Sequence, residues 1–460
     1  MCRAELAPHL ILLSFPNSNL RYERSEGWEM SSNHSPGSVW AAAWLIAGTT
    51  LGAGFLALPA AVAPAGFLPS TAAMVPAYVY SGMSGLLIAE LCINQMGRTG
   101  RRMYSLEDLY GEYLGRGPAA LGAAAYLLLQ GAVMAACISL GGAELAPLLE
   151  GAGAGGLLSP GAGSGQLLFA AAAGAVGAAV AAAGPAARDA IGSALAAAVG
   201  AALLGAIAAG AATADLQALA APQLQHPEEV VGALPAVFLA LGYQAVMPRV
   251  VGDLEGDKRR ITAAVAAGTL LPFLLAVAWD AVALGNAAAA FPGGEALADP
   301  VLYLRDQGGA AGELAGAVTG LALGATLLRL IGTASESLAA TLGLPRSGPG
   351  RGRGRPALAL AAVAPPALWA AGHPAGFYDT LDLCGAFGIS TLFLVLPSLM
   401  VWRARYGDEE APVTVKAMVP LGKLSLGSIW KVAATLILEQ GADKLGVLNW
   451  LQTHVPLPEL

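Results

Sequence analysis

Short polar stretches punctuate this chain, and the apolar runs between them reach the length of about 20 residues that a helix needs to cross a bilayer. Eleven such runs stand out, near 39–63, 67–93, 118–149, 166–184, 189–211, 230–252, 261–285, 313–341, 357–371, 377–402 and 424–441. They predict an all-α integral membrane protein with about eleven transmembrane helices. The last is the least regular, because Lys431 and Glu439 interrupt it. Residues 1–38 read as a polar N-terminal tail or leader containing Pro8, Pro16 and Pro36, and its apolar stretch Leu10–Phe15 is too short to span.

Two of the runs are broken by glycine. The first carries Gly48-Thr49-Thr50-Leu51-Gly52-Ala53-Gly54 with Pro59 beyond it, and the sixth carries Leu241-Gly242-Tyr243-Gln244-Ala245-Val246-Met247-Pro248. Unwound backbone at membrane depth survives only where it is buried in protein or lines a cavity, since lipid satisfies no N–H or C=O. Paired interruptions in corresponding halves point to the substrate site of a secondary transporter. Their spacing predicts two repeats of five helices, 39–211 and 230–402. A C-terminal section, 403–460, then supplies a linker, one further helix and a tail. The bland alternative for Gly48 and Gly52 is a G-x-x-x-G packing motif.

Composition supports the membrane assignment. The 460 residues are 56% hydrophobic and 12% charged, with mean hydropathy +0.62, whereas soluble domains carry about 25% charged residues. A net charge of -7 gives no reason to expect a nucleic-acid partner. Cys2, Cys92, Cys137 and Cys384 show no C-x-x-C or metal-ligand spacing, so neither metal, disulfide framework nor cofactor is expected. Lys and Arg cluster in alternate loops: Arg98 to Arg116, Arg188, Arg249 to Arg260, Arg346 to Arg355, and Arg403 to Lys423. Arg305 and Lys444 fall on the other side. The positive-inside rule then predicts a cytoplasmic N-terminus, or a stromal or matrix one in an organelle. A plasma membrane or a plastid envelope would suit. Glu5, Glu23, Glu26 and Glu29 are more acids than a usual transit peptide carries.

The breaks carry specific chemistry. A half-helix starting after Gly54 turns its N–H groups and positive dipole end inward, which suits a carboxylate. Carbonyls freed at the end of the preceding half-helix suit an ammonium group or cation. Together they suit an amino-acid zwitterion. Gly48, Thr49, Gly52, Ala53 and Gly54 are therefore expected to bind substrate through main chain, with Gly242, Tyr243 and Gln244 completing the cradle. Tyr126 and Gln130 lie four apart, on one helix face that could line the pocket. Tyr243, Phe238 and Phe387 are candidate rings for an apolar slot.

Charged residues inside spans raise a functional question by default. Glu90 reads either as a solvated residue at a helix end or as a functional group. Glu144 and Asp280, toward the opposite ends of their spans, read as solvated. Arg329 and Glu336 lie seven apart, two turns on one face, and are candidates for pairing with other groups, for snorkelling toward the interface or for a gate contact. Glu90 and Glu336 are the proton-coupling candidates. Leu106–Leu114 has the spacing of an interfacial amphipathic helix, and 347–355 reads as a flexible basic linker.

Five stretches in order carry a resemblance. Gly48-Thr-Thr-Leu-Gly-Ala-Gly-Phe-Leu-Ala-Leu-Pro59 resembles the first-helix signature of the hydroxy/aromatic amino-acid permeases, the tyrosine- and tryptophan-specific carriers. Glu90-Leu-Cys-Ile-Asn94 is similar to the end of their second helix, and Ala125-Tyr126 through Ser139-Leu-Gly-Gly142 to their third. Asp253-Leu-Glu-Gly-Asp257, Gly268-Thr-Leu-Leu-Pro272 and Trp279 resemble helices six and seven. Pro365-Pro366, Pro374, Phe377, Gly385-Ala-Phe-Gly388 and Leu396-Pro397 resemble helices nine and ten. The resemblance covers roughly residues 40–440 and implies an eleven-helix inverted-repeat fold of the amino acid/polyamine/cation superfamily, with helices 1 and 6 broken. It also implies proton-coupled uptake of aromatic amino acids. Where those permeases carry a histidine after Phe-Gly-Phe, this chain has Gly242-Tyr243-Gln244, and Gln244 cannot titrate. Two other readings stay open: a sodium-coupled carrier of another amino acid or organic cation, and a non-transporting receptor or scaffold. No enzyme signature appears. The expected partners are an amino acid, protons and lipid.

Overall fold

The computed structural model describes residues 37–101, 104–151, 153, 155–157, 163–290, 299–342, 355–407, 417–420 and 422–445. The expectations for the N-terminal tail, the linker 347–354 and the C-terminal tail beyond 445 lie outside them. The described residues form helices and connecting turns, with no strand among them.

The first expected span is two helices, α1 (Val39–Thr50) and α2 (Ala53–Val62), bent by 54°. α3 (Phe67–Thr99) follows, then the short α4 (Leu106–Leu114), α5 (Arg116–Gly151), α6 (Ser164–Ala183) and α7 (Pro185–Gly210). The sixth span divides into α8 (Val230–Ala240) and α9 (Met247–Asp253), with a single 3₁₀ turn at Gln244–Val246 between them. α10 (Lys258–Ala290), α11 (Pro300–Asp306), α12 (Gly309–Thr341) and α13 (Arg355–Gly372) come next. α14 (Phe377–Leu383) continues through a π-helical stretch, Cys384–Val395, into α15 (Leu396–Tyr406), and α16 (Lys423–Lys444) closes the described chain.

Every one of the eleven runs is helical, with ends shifted by a few residues. Nine are long and apolar enough to cross a membrane when the bent pair α1–α2 is taken as one span. α13 falls short because Arg355 and the Pro365–Pro366 pair dilute an 18-residue helix. α16 falls short because Lys431 and Glu439 interrupt it.

Packing repeats between the two halves. α1 lies along α10, while α8 and α9 lie along α3. α7 packs on α12 as α5 packs on the π-helical stretch, and the neighbours α5–α6 correspond to α12–α13. This is the five-plus-five inverted repeat, with both broken helices at its centre. Small residues allow the approach: a Cβ on Gly268 of α10 would stand 2.7 Å from the carbonyl oxygen of Ala43 on α1.

α4 departs from the sequence expectation. It is a helix, started by a capping box in which Ser105 and Asp108 exchange bonds at 3.1 and 3.0 Å. Its apolar face, Leu106, Leu109 and Tyr110, is buried against the bundle rather than turned to the interface. Glu107 on the same helix accepts a hydrogen bond from Ser337 of α12 at 2.8 Å. Protein contact, with Tyr110 against Gly122, outcompetes lipid for that face.

Candidate substrate site at the paired helix breaks

Leu51 and Gly52 separate α1 from α2. The first amide of α2, at Ala53, donates to the hydroxyl oxygen of Thr326 on α12 at 3.1 Å. A helix far away in sequence thus caps an N-terminus that its own chain leaves open. Gly52 is required by closeness: a Cβ there would stand 2.7 Å from the Thr326 Oγ1. A Cβ on Gly54 would meet the Ala240 nitrogen and Leu239 carbon at 3.0 Å, so the start of α2 lies against the end of α8, next to the second break.

One turn along α12 from Thr326, Arg329 brings a guanidinium nitrogen to 3.8 Å from the same Cβ position on Gly52. Arg329 is half-buried, and its side chain has no hydrogen-bond or ion-pair partner among the described residues. Another turn on, the Thr333 hydroxyl donates to the Gln130 Oε1 of α5 at 2.7 Å. Gln130 is 2% exposed and its Nε2 has no partner. The break, Thr326, Arg329, Thr333 and Gln130 form one polar locus between α1–α2, α5 and α12. It offers a cation and an amide donor, which suit a carboxylate.

The other expected site residues divide. Ala53 and Gly54 belong to the locus. Gly48 sits within α1, where a Cβ would meet that of Ala196 on α7 at 2.8 Å, a packing role. Thr49 turns its hydroxyl to the Leu45 carbonyl at 2.7 Å. Tyr126 is buried edge-on to Phe393, centroids 6.3 Å apart. Gly242 lies in the second break, 3.6 Å by its Cβ position from Ile389. Tyr243 is fully buried and donates to the Ser81 carbonyl of α3 at 3.2 Å. Gln244 donates to the Ser81 hydroxyl at 3.1 Å, and that hydroxyl donates to the Leu241 carbonyl at 2.7 Å. The second break is therefore tied to α3 through Ser81. Phe238 is buried in α8 and Phe387 is half-buried in the π-helical stretch.

The charged residues differ from expectation in two places, Glu90 and Asp280. Glu90 is not a solvated helix-end group: it is fully buried and held bidentately by Arg405 at 2.7 and 2.6 Å, with the Met418 amide at 2.8 Å. Asp280 is not solvated either, being 2% exposed with neither oxygen hydrogen-bonded. Neighbouring helices cover both, which a hydropathy profile along one helix does not register. Glu336 pairs with a group on another helix, one of the expected alternatives: it lies 2.6 Å from Arg188 of α7. Glu144 meets Arg305 at 2.6 Å and holds that guanidinium above its usual range through the hydrogen bond. A second pair, Arg249 with Asp189, is bidentate at 2.8 Å and ties α9 to α7. A groove of about 430 Å³ between α3 and α16 is lined by Pro76, Tyr80 and Leu424 among others, and by no residue of either break.

Sequence reasoning missed Thr326 and Thr333, and left Arg329 as a candidate for pairing, snorkelling or a gate contact without bringing it to the break. The only signal was helical spacing: Thr326, Arg329 and Thr333 share one face of an otherwise apolar run.

An inverted repeat with two broken helices meeting at mid-bundle, and a polar locus at the meeting point, defines the class: a secondary transporter. The fold is also that of the crystal structure of MhsT in complex with L-phenylalanine, with a TM-score of 0.59 and 14% identity over 88% of this chain and 98% of that one. No curated protein matches the chain in sequence. The tryptophan/tyrosine permease family matches it over residues 35–302 and 311–435, and the chain belongs to that family. It is an amino-acid transporter.

Proposed function

We propose that the protein carries aromatic amino acids, tyrosine or tryptophan, across its membrane together with protons. The observation that carries this reading is Arg329, a cation without a counter-ion among the described residues, at the unwound break of a chain in the tryptophan/tyrosine permease family. The substrate carboxylate pairs with that guanidinium beside Gly52 and takes a further hydrogen bond from the Gln130 amide. The ammonium group meets carbonyls at the end of α1, and the ring enters the apolar region flanked by Tyr126, Phe238 and Phe387. The MhsT structure holds L-phenylalanine, which supports a ring-bearing substrate for this architecture. Rocking of the repeats about the midplane then exposes the site to each side in turn.

We infer from the basic clusters a cytoplasmic N-terminus, or a stromal one in a plastid envelope. The basic clusters around Arg98, Arg249, Arg259 and Arg403 lie at the ends of helices that share that face. The test is uptake of labelled tyrosine into proteoliposomes, with and without an inward proton gradient, and with sodium replaced by choline. Accumulation that needs the proton gradient and ignores choline is the expected result. Accumulation that follows sodium would replace the proton with sodium, and absence of tyrosine and tryptophan uptake by folded protein would overturn the aromatic assignment.

A further inference from the structure

Asp280 of α10 is a buried carboxyl group with no partner: it is 2% exposed, and neither oxygen accepts or donates a hydrogen bond among the described residues. The other intramembrane acids differ. Glu90 is held by Arg405 and an amide, and Glu144 and Glu336 each face an arginine.

Its depth follows from the packing of α10. The α3 and α10 helices run antiparallel, since Gly256 lies by Ile93 and Met96 while Phe273 stacks on Tyr78 with centroids 4.8 Å apart. Seven residues farther along each helix from that ring pair, two turns or about 10 Å, come Asp280 and Thr71. The Thr71 hydroxyl is also buried without a partner, as is the indole Nε1 of adjacent Trp279. α1 runs parallel to α10, with Arg260 bonded to Gly37 and Gly268 against Ala43 and Ile46. α10 also packs on α2, the half-helix that starts at the Gly52 break. The acid therefore sits on a helix that packs against the half-helix starting at the substrate locus.

An ionised carboxylate in that position would be an uncompensated buried charge, which a low-dielectric interior strongly disfavours. Neutrality requires a bound cation or a proton. The groups on the packed elements offer no counter-charge. α1 and α2 carry no titratable side chain, and α3 presents Tyr78 against Phe273. Arg188 and Asp189 of α7 are engaged in ion pairs at its start. Asp215 is spent on the amides of Gln217 and Ala218, and α11 brings Tyr303, Asp306 and Arg305, the last paired with Glu144. Among the described residues no second acid or histidine joins Asp280 in a metal-binding group. The proton remains.

We propose that Asp280 is the proton-carrying group of the transport cycle. It takes a proton on one carboxylate oxygen when the site opens to the acidic side, crosses the cycle as the neutral acid, and releases the proton to water on the other side. No bond other than O–H forms or breaks. The inference rests on the proton-coupled reading above.

The test uses full-length protein in proteoliposomes, in two modes. Gradient-driven accumulation of labelled tyrosine reads coupling, and counterflow exchange without a gradient reads binding and the rocking step. Wild-type protein should do both; if it exchanges but never accumulates with a proton gradient, the proton-coupled reading itself fails. Asp280→Asn, which fixes the neutral form, should keep exchange and lose both accumulation and its pH dependence, while Asp280→Glu should restore them. Accumulation by Asp280→Asn at the wild-type level overturns the proposal, and so does loss of exchange by that variant. Wild-type protein supplies a reading free of any folding defect. Dicyclohexylcarbodiimide, which attacks protonated carboxyls in apolar surroundings, should modify Asp280 increasingly as the pH falls, as read by mass spectrometry of the α10 peptide. Absence of modification at Asp280 at every pH overturns it as well.

Discussion

The Thr326 hydroxyl takes the first N–H of α2, and the same oxygen fills the space that a Cβ on Gly52 would need. Removing that oxygen leaves a buried amide unsatisfied, at a cost of about 1–3 kcal/mol. Thr326→Val should therefore lower the thermal unfolding temperature of purified protein and weaken tyrosine binding, while Thr326→Ser keeps both. Equal stability of Thr326→Val and wild type would show that the break holds itself open without α12. Other residue-scale features were partly legible. The glycines of both breaks stood out because Gly in an apolar run needs a reason, and the reason is close approach. What each glycine approaches was not legible: Gly48 meets α7, Gly52 meets α12 and Gly54 meets α8. Gly85 had no sequence signal at all, yet a Cβ there would lie 2.2 Å from the Tyr243 hydroxyl.

At the scale of elements, helices that the proposed rocking cycle would move against one another are joined by ion pairs at their ends. Arg249 of α9 grips Asp189 of α7 bidentately, and the adjacent Arg188 reaches Glu336 of α12. All four side chains are partly exposed, so these contacts contribute little to global stability. Their consequence is conformational, because they hold α7, α9 and α12 together at one end of the bundle. Asp189→Arg should shift the protein toward the form open at that end. A cysteine placed at Ala245, in the second break and half-buried, should then react faster with a membrane-impermeant maleimide. The reversed pair, Asp189→Arg with Arg249→Asp, should return the labelling rate toward that of wild type. Unchanged labelling in the single variant would remove the gate role from this pair. Position along the chain foretold a basic cluster here, but not its acidic partners on α7 and α12.

For the whole molecule, a carrier of the proposed kind recognises both ends of its substrate: the charged head at the Arg329 locus and the ring between helices. Tyrosine and tryptophan should raise the unfolding temperature of detergent-purified protein, approaching about 2.7 kcal/mol of stabilisation at a hundredfold excess over Kd. Glycine, with the head alone, should raise it far less, and Arg329→Met should abolish the shift for every amino acid. Equal shifts with glycine and tyrosine would locate recognition entirely at the head. The sequence by itself determined the membrane class, the places of the helices, the two breaks and the family, because apolar run length, helix-breaking glycines and motif order are local properties of the chain. Only the tertiary structure decided which polar groups are satisfied. It brought Thr326 to Ala53 and Arg405 to Glu90, packed the apolar face of α4 on the bundle, and left Asp280 buried without a partner. Burial and hydrogen bonding depend on what the neighbouring helices present at a given depth. That information lies hundreds of residues away along the chain and becomes local only when the two repeats pack together.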